Sequence, residues 1–137
     1  MNDVFLLNKR YADEIVEQAR AEAPDECCGI LAGEKGEVIK LYRATNMDHS
    51  PNRYTIDPTQ LISFYREITE NRWELLAIYH SHTHTEAFPS PTDIKSAISA
   101  QTVYLIVSLA DPDKATIKAF HIDGNEVAEV QLRIIEN

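Results

Sequence analysis

Residues 75–93, with the sequence LLAIYHSHTHTEAFPSPTD, are the stretch that decides the fold and the chemistry expected of this chain. Residues 75–79 are continuously apolar, which is typical of a strand buried on both faces. Ser90 and Pro91 then predict the start of a helix, because serine caps a helix N-terminus and proline fits the first helical position. The stretch therefore predicts a buried strand, a polar loop and a helix that runs to about Ala100.

His80 and His82 directly follow the predicted strand, and Asp93 stands near the start of the predicted helix. In extended backbone, residues i and i+2 point to the same face, so both imidazoles can reach one ion. Imidazole and carboxylate are ligands that suit zinc, which is normally tetrahedral in such sites. Three protein ligands would leave one position open for water, which is typical of a catalytic zinc site.

Each of these residues also has an ordinary structural explanation. The chain holds five histidines, so an HxH pair alone is weak evidence for a metal site. Ser90 and Asp93 have the pattern of a capped helix N-terminus with an acid near the helix dipole. A chance pair of histidines beside a capped helix is therefore the alternative to a zinc site.

Three other groups of proteins with an HxH motif agree less well with the surrounding residues. Histidine-triad nucleotide hydrolases carry apolar residues between their histidines, whereas Ser81 and Thr83 are polar. Cupins place glycines on both sides of the motif, where this chain has Glu74 and Asp93. Zinc deaminases need H-x-E and P-C-x-x-C, and neither occurs in the sequence.

Charge and hydropathy restrict the partners and the compartment. The formal net charge is −9 with no basic run, which argues against nucleic acid, because binding to phosphates needs clustered Lys and Arg. The longest strongly apolar run, 103–110, is too short to span a bilayer, so no membrane partner is expected. Residues 1–10 lack the features of a signal peptide. We therefore expect a cytoplasmic protein, and its length predicts a single domain over residues 1–137.

The two cysteines, Cys27 and Cys28, are neighbours in the chain. Adjacent cysteines rarely bridge to each other, so no disulfide framework is expected. Both lie in an apolar run, which favours small buried hydrophobic residues in a strand over a redox or nucleophilic role.

The rest of the chain alternates helical and strand patterns. Apolar residues at helical spacing predict helices at 8–23 and 57–71, capped by Asn8 and Asp57. Further strands are predicted at 27–32, 38–42, 103–110, 115–122 and 126–135. Interleaved helices and strands followed by three consecutive strands predict a mixed sheet with helices packed on it.

Glu26, His80-Ser81-His82 and Ser90-Pro91-Thr92-Asp93 together resemble the motif of the JAMM/MPN family of zinc peptidases and isopeptidases. The family pattern is a glutamate after the first helix, then H-[S/T]-H, seven residues and S-x-x-D, and seven residues separate the two motifs here. Residues 26–33, ECCGILAG, are similar to the family's E-x-C-G-x-L-x-G strand. The stretch 46–58 is similar to the asparagine-to-D-P stretch of small bacterial members. The resemblance covers most of the chain.

One departure from the family pattern concerns the loop after the second histidine. Many members have proline there, whereas this chain has Thr83 followed by His84. The departure affects the shape of the loop rather than the metal site, and His84 is expected to be a solvated loop residue. His49 and His121 have no partner pattern and are expected to be ordinary surface or edge residues.

The resemblance implies a role for each matching residue. His80, His82 and Asp93 would ligate Zn²⁺. Glu26 would act as general base and proton shuttle, and Ser90 would donate a hydrogen bond to the developing oxyanion. It also implies the fold class, an α/β protein with a mixed β-sheet flanked by helices in an α-β-α sandwich, as in MPN domains and cytidine deaminases.

The implied reaction is hydrolysis of an amide or isopeptide bond by zinc-activated water. Family substrates are typically ubiquitin-like proteins, cut after a C-terminal Gly-Gly. Small bacterial members act on ubiquitin-like sulfur-carrier proteins, which they trim or from which they release an amino acid such as cysteine. The tail would lie near the loops 46–57 and 83–89. Family members often pair, so a homodimer is a further expectation. Two alternatives stay open: an inactive MPN scaffold that binds partners, and hydrolysis of a small-molecule amide.

Overall fold

A computed structural model describes residues 4–136, whose strands form one seven-stranded mixed sheet. The strands are β1 Val4–Asn8, β2 Cys28–Glu34, β3 Glu37–Ala44, β4 Glu74–His82, β5 Val103–Ser108, β6 Thr116–Asp123 and β7 Glu126–Ile135. The helices are α1 Lys9–Glu22, α2 Pro58–Glu70 and α3 Pro91–Ser96. The strand order is β1-β7-β6-β5-β4-β2-β3. The β1–β7 and β4–β5 pairs are parallel, and the other neighbouring strands are antiparallel.

Helices cover both faces of this sheet. On one face, Tyr11 and Ile15 of α1 pack against buried strand residues that include Leu31 and Tyr79. On the other face, Ile68 of α2 belongs to a second apolar cluster. That cluster includes Ile30 and Ile78, the sequence neighbours of Leu31 and Tyr79. Because successive strand residues point to opposite faces, the two clusters form separate layers. The predicted fold class, a mixed sheet flanked by helices, is confirmed.

The helix starts follow from their capping residues. The side chain of Asn8 accepts a hydrogen bond from the backbone N–H of Arg10, and that of Asp57 accepts one from Thr59. Both bonds satisfy N–H groups that have no partner inside the helix. The turn between β6 and β7 consists of two residues, with Gly124 at a positive φ of 60°. Such a two-residue turn is typical of a tight hairpin, as the sequence predicts.

Strand β4 runs to His82, so His80 and His82 lie within the strand rather than after it. The structure differs from the sequence prediction at two further places. Strand β1 was not predicted, and its parallel pairing with β7 places it at the edge of the sheet. Helix α3 ends at Ser96 rather than near Ala100. The reason is that the hydroxyl of Tyr104 accepts hydrogen bonds from the backbone N–H groups of Ile98 and Ser99, which draws this segment out of helical conformation.

The crossover from β4 to β5 determines where the functional residues meet. These two parallel strands are neighbours in the sheet, and α3 lies in the connection between them. The C-terminal end of β4 therefore faces the N-terminal end of α3, an arrangement in which α/β proteins commonly bind ligands. None of the helices described within residues 4–136 has the length and apolar character needed to cross a membrane.

Candidate metal centre

His80 and His82 lie at the end of β4, between β2 and β5. Being two residues apart in a strand, they point to the same face of the sheet as Ile78, the face that carries α2. Ser81 points to the opposite face, where its hydroxyl accepts a 2.7 Å hydrogen bond from the backbone N–H of Cys27. The strand therefore delivers both imidazoles side by side into one site.

Asp93, on the first turn of α3, brings its carboxylate to both imidazoles. Its Oδ2 atom is 3.0 Å from the Nε2 atoms of His80 and of His82, and these two nitrogens are 3.3 Å apart. All three residues are buried: the exposed fraction is 1% for His80, 4% for His82 and 8% for Asp93. Within residues 4–136, this is the only group of three or more His, Cys, Asp or Glu residues whose ligand atoms lie within 4.8 Å of one another.

This triangle of donor atoms fits a zinc ion. Zinc bonds to nitrogen and oxygen at about 2.0–2.2 Å, so two ligand atoms of a tetrahedral site are about 3.4 Å apart. The separations of 3.0 and 3.3 Å between these three atoms are close to that value. Three protein ligands also leave a fourth position open, as in catalytic zinc sites. The structure thus brings the three predicted ligands together in a group able to hold a metal ion.

The two imidazoles differ in their surroundings. His82 Nδ1 donates a 2.8 Å hydrogen bond to the backbone carbonyl of Glu86, which orients the ring and leaves Nε2 for the site. Burial lowers the pKa of His82, but hydrogen bonds to Asp93 and to Glu86 together raise it above its usual range. For His80, burial dominates and lowers the pKa below its usual range. A neutral His80 would offer its Nε2 lone pair to a metal in the tautomer that carries the proton on Nδ1, in which Nε2 no longer donates to Asp93.

Asp93 and Ser90 also form the capping box that the sequence predicts as their structural role. The Ser90 hydroxyl accepts a hydrogen bond from the backbone N–H of Asp93, and the Ser90 N–H donates to Asp93 Oδ2, both at 3.0 Å. Burial alone would raise the pKa of Asp93, but hydrogen bonds from His80 and His82 hold that pKa well below its usual range. The carboxylate is therefore ionised, and the same Oδ2 atom serves the cap and faces the two imidazoles.

Glu26 lies beside this group rather than in it. Cys28 pairs with His80 across β2 and β4, and Ser81 N–H donates to the carbonyl of Cys27. Continuing this antiparallel register two residues beyond the Cys28–His80 pair sets Glu26 opposite His82. Its carboxylate is not part of the cluster of ligand atoms. The pairing of two strands that are far apart in sequence thus brings the predicted base next to the predicted ligands.

The carboxyl group of Glu26 is buried. The residue is 3% exposed, and its Oε1 atom has no hydrogen-bond partner among the described residues. Burial raises the pKa of Glu26 to about 8, although the nearby His82 works in the opposite direction. A bound cation would lower this pKa again, because positive charge favours the carboxylate.

This environment predicts that Glu26 destabilises the metal-free protein at alkaline pH. The folded pKa of about 8 exceeds the ordinary value of 4.5, so the folded state holds a proton that the unfolded state releases between these pH values. Stability should therefore fall as the pH rises from about 4.5 to 8. We expect Glu26→Gln to stabilise the metal-free protein by about 4 kcal/mol at pH 8, relative to its effect at pH 4.5. The gain should shrink towards pH 4.5 in urea unfolding of chelator-treated samples. An equal gain at both pH values would contradict the assignment to Glu26.

Sequence reasoning did not single out Asn46 or Tyr54 as functional residues. Asn46 is buried, and its side-chain amide donates hydrogen bonds of 3.0 Å to the carbonyls of Glu26 and Arg53. The ring of Tyr54 stacks on that of His80. The sequence marks Asn46 only as the start of a polar loop, which is also the pattern of an ordinary turn, and as the first residue of the stretch 46–58 that resembles the family.

The remaining candidates from the sequence lie outside the cluster. His84 is exposed, and its ring contacts the hydroxyl of Thr83 at 2.8 Å. Cys27 and Cys28 are buried and free, as predicted. Burial raises the pKa of the Cys27 thiol to about 12 and that of Cys28 still further. Neither cysteine is a thiolate near neutral pH, so neither is an activated nucleophile.

Comparison with known proteins places the chain in a family. Residues 8–123 match the family Prok-JAB, described as prokaryotic homologs of the JAB domain. The CysO-cysteine peptidase of Mycobacterium tuberculosis is 33% identical over 135 residues, which cover 97% of this chain and 92% of that protein. The probable TtuB-protein conjugate cleaving protease of Thermus thermophilus is 40% identical over 124 residues, covering 86% and 79%.

A solved structure extends this likeness to the fold. The solution structure of protein DSY2949 from Desulfitobacterium hafniense is similar to this chain with a TM-score of 0.87 and 33% identity. The match covers 98% of this chain and 94% of that one. The family match spans α1, the strands from β2 to β6 and the metal centre. Both relatives are named as peptidase or protease. The prediction of a JAMM/MPN peptidase is confirmed, and the chain belongs to the family of prokaryotic JAB-domain proteins.

Proposed function

We propose that this chain is a zinc-dependent peptidase that hydrolyses the amide or isopeptide bond after the C-terminal Gly-Gly of a ubiquitin-like sulfur-carrier protein. Its product is either the trimmed carrier or an amino acid, such as cysteine, released from the end of the carrier. The observation that carries the proposal is the buried triangle of His80, His82 and Asp93 donor atoms, at separations of 3.0 and 3.3 Å. The whole of residues 1–137 would act as a single catalytic domain.

In this proposal His80, His82 and Asp93 hold the zinc ion. Zinc in an open three-ligand site supplies Lewis-acid chemistry and a bound water whose pKa is near neutrality. Asp93 contributes one negative charge, because its pKa lies well below its usual range. Each imidazole would contribute an Nε2 lone pair, and His82, whose pKa is raised, would have to release a proton when the ion binds. Burial of all three keeps competing solvent away from the donor atoms.

Glu26 acts as general base and proton shuttle. It takes the proton of the attacking water and passes it to the leaving amine. Two features support this role: the carboxylate stands outside the ligand cluster, and burial raises its pKa to about 8 in the metal-free chain. A bound cation would lower this pKa, so the carboxylate would be ionised near neutral pH and able to accept the proton.

Ser90 donates a hydrogen bond to the oxyanion that develops on the scissile carbonyl. Its hydroxyl oxygen already accepts the N–H of Asp93, which fixes the position of the oxygen. A hydroxyl that accepts one hydrogen bond still carries its own proton as a donor. The capping role and the proposed catalytic role of Ser90 are therefore compatible.

The proposed substrate class rests on the relatives and on the borders of the site. One relative is named for a CysO–cysteine bond, and the other for conjugates of TtuB. In this chain two loops border the ligands. In the loop 46–57, the ring of Tyr54 stacks on that of His80. In the loop 83–89, the backbone carbonyl of Glu86 accepts a hydrogen bond from His82. In this proposal the extended Gly-Gly tail lies between these two loops.

The test is cleavage of a carrier protein of defined mass. The zinc-loaded enzyme is incubated with a ubiquitin-like carrier that has an additional residue after Gly-Gly, and the products are weighed by mass spectrometry. We expect a carrier that ends in Gly-Gly. Removal of the metal by a chelator should abolish the reaction, and zinc should restore it. The isolated tail peptide serves as the comparison and should react more slowly than the whole carrier.

Two outcomes would contradict this proposal. Cleavage that continues unchanged after complete metal removal would rule out zinc-dependent chemistry. Faster reaction of the tail peptide than of the whole carrier would favour a small-molecule amide hydrolase over a carrier-specific peptidase.

A further inference from the structure

His80 differs from His82 in how its ring is held. Histidines that bind metals almost always donate their second ring N–H to a carbonyl, carboxylate or water, which fixes the ring. His82 follows this rule through Glu86. The Nδ1 atom of His80, in contrast, is buried and has no hydrogen-bond partner among residues 4–136. A different contact must orient the His80 ring.

The contact available is the aromatic ring of Tyr54. The centroids of the Tyr54 and His80 rings are 4.5 Å apart, and their planes are inclined by only 21°. At this distance and angle the tyrosine covers one face of the imidazole, which restricts rotation of the ring about its side-chain bond. The hydroxyl of Tyr54 makes no hydrogen bond with any described residue, so the ring carries the interaction.

The backbone on both sides of Tyr54 is held by the buried side chain of Asn46. Its amide nitrogen donates to the carbonyl of Arg53 at 3.0 Å, and its amide oxygen accepts the N–H of Thr55 at 3.1 Å. The same amide nitrogen donates to the carbonyl of Glu26 at 3.0 Å. One buried amide therefore anchors the residues before and after Tyr54 to the strand end that carries the proposed base.

We propose that Tyr54 is a positioning residue for the metal centre, which orients His80 by stacking in place of the missing Nδ1 hydrogen bond. The inference rests on the proposed zinc site. It predicts that zinc affinity depends on the aromatic ring of Tyr54 and not on its hydroxyl. If Tyr54 served only to fill the apolar cluster beside α2, its loss would change stability and leave zinc affinity unaltered.

The test compares zinc affinity, measured by competition with a chromogenic chelator, among four proteins. Tyr54→Phe keeps the ring, and Tyr54→Leu keeps apolar bulk without a ring. Phe64→Leu is the matched control, because Phe64 packs on the same apolar cluster and its ring contacts that of Tyr42 at 4.7 Å instead of a ligand. We expect wild-type affinity for Tyr54→Phe and Phe64→Leu. The Tyr54→Leu protein should bind zinc about 10- to 100-fold more weakly, as for loss of other groups that orient metal ligands.

The outcomes separate this inference from the proposed zinc site. If the wild type binds zinc, and Tyr54→Leu and Phe64→Leu bind it with equal affinity, the positioning role of Tyr54 is overturned and the zinc site stands. If zinc affinity falls equally in Tyr54→Phe and Tyr54→Leu, the role of the ring is overturned, because Tyr54→Phe removes only the hydroxyl group. A wild type that takes up no zinc would overturn the metal site and the inference together. Thermal unfolding in excess chelator checks that each variant is folded, and Tyr54→Met replaces Tyr54→Leu if the latter is not.

Discussion

Replacing Glu26 with glutamine should lower the turnover of a carrier substrate by about 10²- to 10⁴-fold, the usual contribution of a general base. Zinc content, measured by elemental analysis, should stay at the wild-type level, because the Glu26 carboxylate is not among the clustered ligand atoms. Glutamine keeps the size and one carbonyl oxygen of the side chain but cannot take up a proton. The loss should appear in kcat with little change in KM, since the base acts on the attacking water rather than on the bound tail.

A control for this prediction is available four residues upstream. Glu22→Gln makes the same change of charge on the last turn of α1, where the carboxylate accepts a 3.1 Å hydrogen bond from Gln18. Its turnover should stay within about threefold of wild type. Near-normal turnover in Glu26→Gln would show that another group moves the proton, and the proposed mechanism would be wrong.

Most strands and helices could be predicted from the sequence, and two features could not. Strands with continuous or alternating apolar residues were predicted, because side-chain periodicity reports directly on burial. Strand β1 was missed, since five residues next to a helix cap give too short a pattern. The early end of α3 was missed for a different reason. It depends on the hydroxyl of Tyr104, which lies on another element and accepts the N–H groups of Ile98 and Ser99.

The site residues that lie close together in the sequence could be predicted from their own pattern, and those brought in from distant segments could not. His80, His82 and Asp93 were predicted together because one strand, one loop and one helix start contain them all. Glu26 came only from the resemblance to a family, since its position depends on pairing between β2 and β4. Tyr54 was missed because nothing in its neighbourhood in the sequence indicates a contact with a histidine 26 residues away.

Asp93 is the residue whose replacement should affect the metal centre most, because its Oδ2 atom contacts both imidazoles and the helix cap at once. We expect Asp93→Asn to bind zinc at least about 100-fold more weakly than the wild type. This loss exceeds the loss expected for a residue that only orients a ligand, because the substitution removes a charged ligand. The amide oxygen can still accept the Ser90 N–H, so the cap should persist. Asp93→Ala should lose zinc to the same extent and also about 1 kcal/mol of stability from the cap.

These two effects are separated by measuring zinc affinity with a chelator and unfolding in the absence of metal. Asp57→Asn is the matched control, because Asp57 caps α2 by accepting the N–H of Thr59 and has no place in the ligand cluster. Its zinc affinity should equal that of the wild type. If Asp93→Asn bound zinc as tightly as Asp57→Asn, the carboxylate at the start of α3 would be a helix cap alone. The two histidines would then need a different third ligand to hold a metal.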